Sequence, residues 1–148
     1  MDKDEQIEYL KEQVKLYRFD WLTGLKGRRD FDYDLRKKFK TKHEFFLCYY
    51  DVDNLHRMNR EHGFAEGDCL IRQVAGDIQH QPVPHTTYRT SGDEIYAICC
   101  NTPTTKVDNA TNVAVESKHY KSVDEMLKAL DQHMIEAKNQ KKLRRSGD

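Results

Sequence analysis

The chain has 148 residues, with 25 basic and 25 acidic side chains and 37% hydrophobic content, enough for one domain with its own core. The absence of net charge excludes a general nucleic-acid or anionic-membrane binder, so any phosphate chemistry must come from a local cluster. Eight Tyr, six Phe and regular aliphatic positions exclude a disordered chain, and no apolar run approaches the roughly 20 residues that span a bilayer.

In chain order, Met1-Asp2-Lys3-Asp4-Glu5 is acidic without an apolar core and does not read as a signal peptide. Over residues 3–19, Ile7, Leu10, Val14 and Tyr17 recur at spacings of three and four and predict an amphipathic helix. A single short stripe is expected by default to pack on its own domain. Residues 1–19 are accordingly set apart from a domain over 20–148. Thr23-Gly24 breaks the helix, and a second runs over 27–39 with Phe31, Leu35 and Phe39 inward. Phe45-Phe46-Leu47-Cys48-Tyr49-Tyr50 reads as a buried strand ending at Asp51. Helices follow over 55–62 and, after a turn at Gly63, over 67–79 with Leu70, Ile71, Val74 and Ile78 on the core face. Pro82 and Pro84 force a loop. Thr87-Tyr88-Arg89, a Ser91-Gly92-Asp93 turn and residues 94–100 form a hairpin. Residues 112–115 read as a strand, and 123–142 as a helix with Met126, Leu127, Leu130, Met134 and Ile135 inward. This order predicts an α+β fold with a central, mainly antiparallel sheet flanked by helices. None of the four cysteines lies in a CxxC pair, and Cys48, Cys99 and Cys100 fall in apolar runs, so they read as buried thiols of a reducing cytosol.

Two acidic pairs could carry chemistry. Asp51 and Asp53 flank Val52 at a strand end, where residues two apart face the same side. Asp93 and Glu94 sit at the hairpin tip beside Gly92. Either pair alone reads first as turn chemistry. Together, a strand-end and a hairpin-tip carboxylate on adjacent strands can clamp a hard divalent ion. Mg²⁺ takes one or two carboxylates plus phosphate oxygens, and paired metals suit in-line attack at phosphorus.

Four ordered blocks carry a family resemblance. Asp20-Trp21-Leu22-Thr23-Gly24-Leu25-Lys26-Gly27-Arg28-Arg29-Asp30-Phe31 resembles D-x-L-T-G-L-x-N-R-R-x-F, with Gly27 at the Asn position. Asp51-Val52-Asp53 with Asn59, Gly63 and Gly67-Asp68 resembles D-x-D-x-F-K-x-x-N-D-x-x-G-H-x-x-G-D. Arg89-Thr90-Ser91-Gly92-Asp93-Glu94-Ile95 resembles R-x-G-G-D-E-F, and Lys138 with Lys142 matches a basic pair late in the last helix. Over about residues 7–142 the chain resembles the GGDEF-domain family, trimmed and with an SGDEI signature. That family consists mainly of diguanylate cyclases, which condense two GTP into cyclic di-GMP with two domains face to face.

The resemblance implies a GGDEF/palm-like nucleotidyl cyclase fold lacking one usual helix. It implies that Asp51 and Asp93, with the Val52 carbonyl, ligate Mg²⁺ (or Mn²⁺). Glu94 would serve at a second metal or near the attacking 3′-hydroxyl, which makes Asp51, Asp93 and Glu94 the catalytic set. Asn59 and Asp68 would read guanine, Ser91 and Gly92 would lie against the substrate, and Lys138 and Lys142 would neutralise the triphosphate. A solvated helix face is the alternative for those lysines, in a tail that also carries Lys141, Arg144 and Arg145.

The chain departs from the pattern at Ser91 for Gly, Ile95 for Phe, His56 for Lys, Arg60 for Asp and Phe64 for His. Pro82-Val83-Pro84-His85 stands where the family's inhibitory product site has R-x-x-D. Between Cys100 and Asn112 a short segment with Pro103 replaces the usual helix. The expected function is a cytoplasmic, Mg²⁺-dependent, homodimeric cyclase acting on GTP, with no nucleic-acid or membrane partner. The alternative is a degenerate domain that binds GTP or a protein partner without turnover, and a third reading is a palm-type polymerase relative. The N-terminal stripe would otherwise be the remnant of a coiled-coil linker. With no sensor in the chain, regulation would fall to expression level, dimerisation or a separate regulatory protein.

Overall fold

The computed structural model describes residues 1–83, 85–102 and 106–146, so Pro84 and Pro103 lie outside the described residues. The helices are α1 (Lys3–Arg18), α2 (Arg28–Lys40), α3 (Leu55–His62), α4 (Phe64–Gln79) and α5 (Val123–Ser146). The strands are β1 (Phe46–Val52), β2 (His85–Ser91), β3 (Glu94–Cys99) and β4 (Ala110–Glu116), with a 3₁₀ turn at Ser117–His119. They form a four-stranded sheet in the order β2-β3-β1-β4, and every pairing is antiparallel.

β1 reads as a continuous apolar run because it is central and covered on both faces. Alternation along the strands divides the side chains between two cores. Leu47, Tyr49, Tyr96 and Ile98 join Phe31 and Leu35 of α2 and Met126 and Leu130 of α5. Cys48, Tyr50, Val52, Ile95 and Ala97 join Val74, Ala75 and Ile78 of α4. Tyr96 stacks between Tyr49 and Phe31, with ring centroids 4.5 Å from each. That stack lies directly behind the acidic ends of β1 and β3 and stiffens the platform that carries them.

The segment after α1 turns back along the sheet edge. Phe19 pairs with Lys26, Lys26 pairs with Tyr88 of β2, and the Arg89 N–H donates to the Lys26 carbonyl at 2.8 Å. This covers part of an otherwise open edge and ties the start of the chain to the hairpin.

Four expectations are corrected. First, α1 is capped by the Asp2 carboxylate on the Glu5 N–H at 2.8 Å but buries no residue. Ile7, Leu10, Val14 and Tyr17 are 49%, 59%, 55% and 89% exposed, so the stripe does not pack on its own domain. The surface it faces is the polar start of α2, Arg28 to Asp30, because Phe31 and Leu35 point into the sheet. Second, α4 begins at Phe64, since Gly63 (φ 89°) ends α3 and starts α4 in a single left-handed step. Third, Ile135 is exposed while Met134 takes the inward position. Fourth, Cys100 is exposed just beyond the end of β3, whereas Cys48 and Cys99 are buried free thiols. No helix separates β3 from β4 among the described residues, which fits a trimmed fold. No helix among them is long and apolar enough to cross a membrane.

Candidate functional site

The acidic residues gather at one end of the sheet. Asp51 of β1 lies directly opposite Glu94 of β3, so both face the α2/α5 side. Asp93 occupies the two-residue turn before β3, and its carbonyl accepts the Val52 N–H at 2.9 Å. Asp51 is only 6% exposed. Burial pushes its carboxyl above the ordinary range, Lys138 pulls it back, and the charges of Asp93 and Glu94 add to the rise.

α5 lays two ammonium groups across this end. Lys138 Nζ sits 2.9 Å from Asp51 Oδ2, and Lys141 Nζ sits 2.9 Å from Asp53 Oδ2. Asp53 also accepts from the Thr111 hydroxyl at 2.6 Å, and Lys141 donates to the Ala110 carbonyl at 3.3 Å. A cavity of about 200 Å³ opens here, where Lys138, Lys141, Lys142 and Arg145 face Asp51 and Asp53. Four cationic and two carboxylate side chains line it. A second cavity, of about 260 Å³, adjoins Glu94 on the α2 side and includes Arg28, Tyr96 and Asp131.

Among the described residues, no three carboxylate, thiol or imidazole groups converge into a ready-made metal cage. The donors present still fit Mg²⁺ or Mn²⁺. Asp51 opposite Glu94, with Asp93 and the Val52 carbonyl beside them, is the sparse all-oxygen set Mg²⁺ uses when a phosphate completes its shell. The Lys138 ammonium on Asp51 marks a position where positive charge is stabilised.

Asn59 of α3 lies against α4 at Gly67, the residue before Asp68. The left-handed Asn54 (φ 57°) turns the chain into α3, and Gly63 turns it again into α4. The Asn59 amide lies against Gly67, so close that a Cβ at Gly67 would occupy the position of its oxygen. That oxygen, Oδ1, is buried without a hydrogen-bond partner. A buried orphan acceptor costs about 1–3 kcal/mol, which an N–H donor from a ligand would recover. Asp68, next to Gly67 and half-buried, supplies a second acceptor. His56, Arg60 and Phe64 all face solvent.

At the hairpin, Ser91 ends β2 beside a register shift after Arg89, and its φ is not positive, so the Cβ there is unstrained. At Gly92 a Cβ would meet nothing within 4 Å. Neither packing nor a positive φ within this chain requires glycine there.

Asp20 and Arg89 stand within the motif blocks, where the sequence alone assigns them no role. The Arg89 guanidinium donates to both Asp20 oxygens, at 3.0 and 3.1 Å, and to the Gly92 carbonyl at 3.0 Å. Asp20 also accepts from the Thr23 N–H and hydroxyl. Burial alone would raise the Asp20 carboxyl, but Thr23 and then Arg89 outweigh it and hold it below its ordinary value. The motif turn and the signature hairpin are thus one braced unit. The Lys141–Asp53 pair likewise has no role assigned by the sequence alone, although its spacing signal is present. Carboxylates two apart on a strand lie about 6.7 Å apart, near the ~5–6 Å between Cβ atoms three apart on a helix.

Comparison with known proteins places this geometry. The family model described as "Diguanylate cyclase, GGDEF domain" matches residues 17–117. Diguanylate cyclase VdcA of Vibrio cholerae is 33% identical over 98 residues, covering 63% of this chain and 29% of that protein. Cyclic di-GMP phosphodiesterase PdeB of Shewanella oneidensis is 32% identical over 98 residues, covering 65% of this chain and 11% of that protein. The chain therefore spans less than a third of the length of each of these relatives. Among solved structures, the coiled coil and GGDEF domain of DgcB from Caulobacter crescentus, in complex with c-di-GMP, superposes with a TM-score of 0.81 at 19% identity. That match covers 92% of this chain and 88% of that one. The Pseudomonas aeruginosa diguanylate cyclase SiaD, solved with its activator SiaC, gives a TM-score of 0.74 at 17% identity over 93% of this chain and 66% of that one.

Proposed function

The chain belongs to the GGDEF domain family, and from that premise we propose that it is an Mg²⁺-dependent nucleotidyltransferase that condenses two GTP into cyclic di-GMP as a homodimer. The observation that carries this reading is the pairing of Asp51 with Glu94 across β1 and β3 beside a cavity with four cations. Acidic and basic groups at one sheet end suit a metal-bound triphosphate, and phosphoryl transfer needs positioning and charge neutralisation above all.

Asn59 Oδ1 and the Asp68 carboxylate accept from the guanine N1–H and N2–H₂, an edge where adenine presents a different pattern. Lys138 and Lys142 hold the phosphate tail, and Ser91 with Gly92 leaves room for the nucleotide to approach the hairpin. Asp51, Asp93 and the Val52 carbonyl would hold Mg²⁺ or Mn²⁺, which would supply Lewis-acid polarisation of the phosphate oxygens. Glu94 takes the proton of the 3′-hydroxyl as that oxygen bonds to the α-phosphorus of the other nucleotide and pyrophosphate leaves. One copy provides one acidic hairpin and one base reader, so two copies face each other to close both bonds.

The test is incubation of the purified chain with each nucleoside triphosphate and Mg²⁺ at high protein concentration, with products resolved by mass spectrometry. Cyclic di-GMP from GTP alone is expected, and Asp93→Ala should abolish it. Absence of any cyclic or linear dinucleotide would overturn turnover. Binding of GTP without product would then support the second reading, a domain that binds without turnover. That reading is favoured by the ammonium already seated on Asp51.

A further inference from the structure

We propose that Lys138 is an internal counter-ion that holds Asp51 until a metal–nucleotide complex replaces it, so that the site takes the nucleotide and its divalent cation together and neither well alone. This rests on the reading of the site as one for a nucleoside triphosphate, and it assigns that site a specificity for the metal complex over either component.

Lys138 is the one cation in ion-pair contact with Asp51 among the described residues. Its ammonium, 2.9 Å from Oδ2, already neutralises the carboxylate that a hard cation would use. Mg²⁺ binds oxygen at about 2.0–2.1 Å, and a dication on this carboxylate repels the ammonium held beside it. Metal entry therefore loosens Lys138. The side chain is 45% exposed on a flexible four-carbon stem, so it is free to swing.

Charge balance decides what each ligand meets. A metal ion alone would leave the Lys138 ammonium without its anion and beside a dication. A nucleotide alone would draw Lys138 away and set a polyanion against bare Asp51, with Asp93 and Glu94 adding repulsion. With both present, Asp51 passes to the metal and Lys138 passes to a phosphate oxygen. One ion pair is broken and two are made, and no charge is stranded.

The parallel pair behaves differently, which singles out Lys138. Lys141 is bonded to the Ala110 carbonyl as well as to Asp53, and Asp53 is also held by Thr111. That closed set anchors α5 to the end of β4 while Lys138, one turn earlier, makes a single polar contact among the described residues and can move.

The experiment titrates Mn²⁺ into the wild-type chain, Lys138→Met and Arg145→Met, reading free Mn²⁺ by paramagnetic resonance. Each titration is repeated with a non-hydrolysable GTP analogue. Arg145 lines the same cavity without an ion pair among the described residues, so its variant removes one charge but no latch. Without nucleotide, Lys138→Met should bind Mn²⁺ about tenfold more tightly than wild type, the factor that about 1.4 kcal/mol represents. Arg145→Met should change it less than about twofold. The enhancement of metal binding by nucleotide should shrink in Lys138→Met by a similar factor, since such coupling is reciprocal. Unchanged metal affinity in Lys138→Met, or equal tightening in both variants, overturns the counter-ion role while leaving the nucleotide site standing. An analogue that binds none of the three proteins, with or without Mn²⁺, removes the nucleotide site and the inference with it. Lys138→Gln keeps a polar tip without the charge and replaces the Met variant if that one unfolds.

Discussion

Arg89 gives the most demanding test of how the site is built. Its guanidinium, with the side chain 14% exposed, spans the 17%-exposed carboxylate of Asp20 and the Gly92 carbonyl in three bonds of 3.0–3.1 Å. Replacing Arg89 by Leu strands Asp20, and replacing Asp20 by Leu strands the guanidinium, whose Nε already lacks a partner. Breaking one side of a fully buried pair costs about 3–5 kcal/mol. Residual exposure lowers this to about 3 kcal/mol here, which a domain of this size registers as a fall of about 6–12 °C in Tm. The double variant leaves no orphan charge, so it should cost much less than the two single changes added together. Thermal unfolding followed by circular dichroism checks the cycle. The pH dependence has a fixed sign. Because the folded Asp20 carboxyl lies below its ordinary value, the pair contributes fully above about pH 4 and loses its contribution as pH falls through the lower folded pKa. Additive single costs, or single losses below about 1 kcal/mol, would refute the brace.

The other expectations concern residues of the site itself. Asp51→Asn should raise Tm at pH 7, because burial holds the folded carboxyl above its unfolded value and ionisation is therefore unfavourable in the fold. The gain should vanish as pH falls toward 4, metal binding should be lost at every pH, and a lower Tm at pH 7 would contradict the sign. Gly92→Ala should leave Tm within about 2 °C, since nothing in the chain lies near the added methyl, yet weaken GTP binding tenfold or more by calorimetry. Equal affinity would mean that no ligand approaches that backbone. Gly67→Ala should displace the Asn59 amide. A displaced tip is cheap and the helix gains up to about 1 kcal/mol from Ala, so stability should hold while discrimination between GTP and ATP collapses. Retained discrimination would remove Asn59 from base reading.

What could be read in advance was whatever local pattern determines. β1 announced itself as a central strand because burial on both faces demands an unbroken apolar run, and the hairpin tip followed from Gly92 and Asp93 between two β-rich segments. Asp51 and Glu94 were legible as site residues for the same reason, since both close or open a strand. The fate of the N-terminal stripe was not legible. A helical period states that one face is apolar, but not whether the domain has an apolar surface left to receive it, and α2 offers Arg28 and Arg29 instead.

The ion pairs were hidden for a different physical reason. Lys138, Lys141 and Lys142 are chemically alike in a basic tail, and which of them meets Asp51 depends on how α5 is rotated over the sheet. That rotation is set by Met126, Leu130 and Met134 packing on Leu47, Tyr49 and Val115, roughly one to three turns before Lys138. Once the apolar residues have seated, positions 138 and 141 fall over the strand end and 142 lines the same cavity. Site chemistry here is thus a consequence of core packing roughly two turns away. A core change such as Met134→Ala should therefore weaken Mn²⁺–nucleotide binding without touching a ligand, beyond its stability cost of about 2–5 kcal/mol. If Met134→Ala lowers Tm yet binds the metal–nucleotide pair as wild type does, then α5 is seated by Lys141 and Asp53, and the core has no part in aiming Lys138.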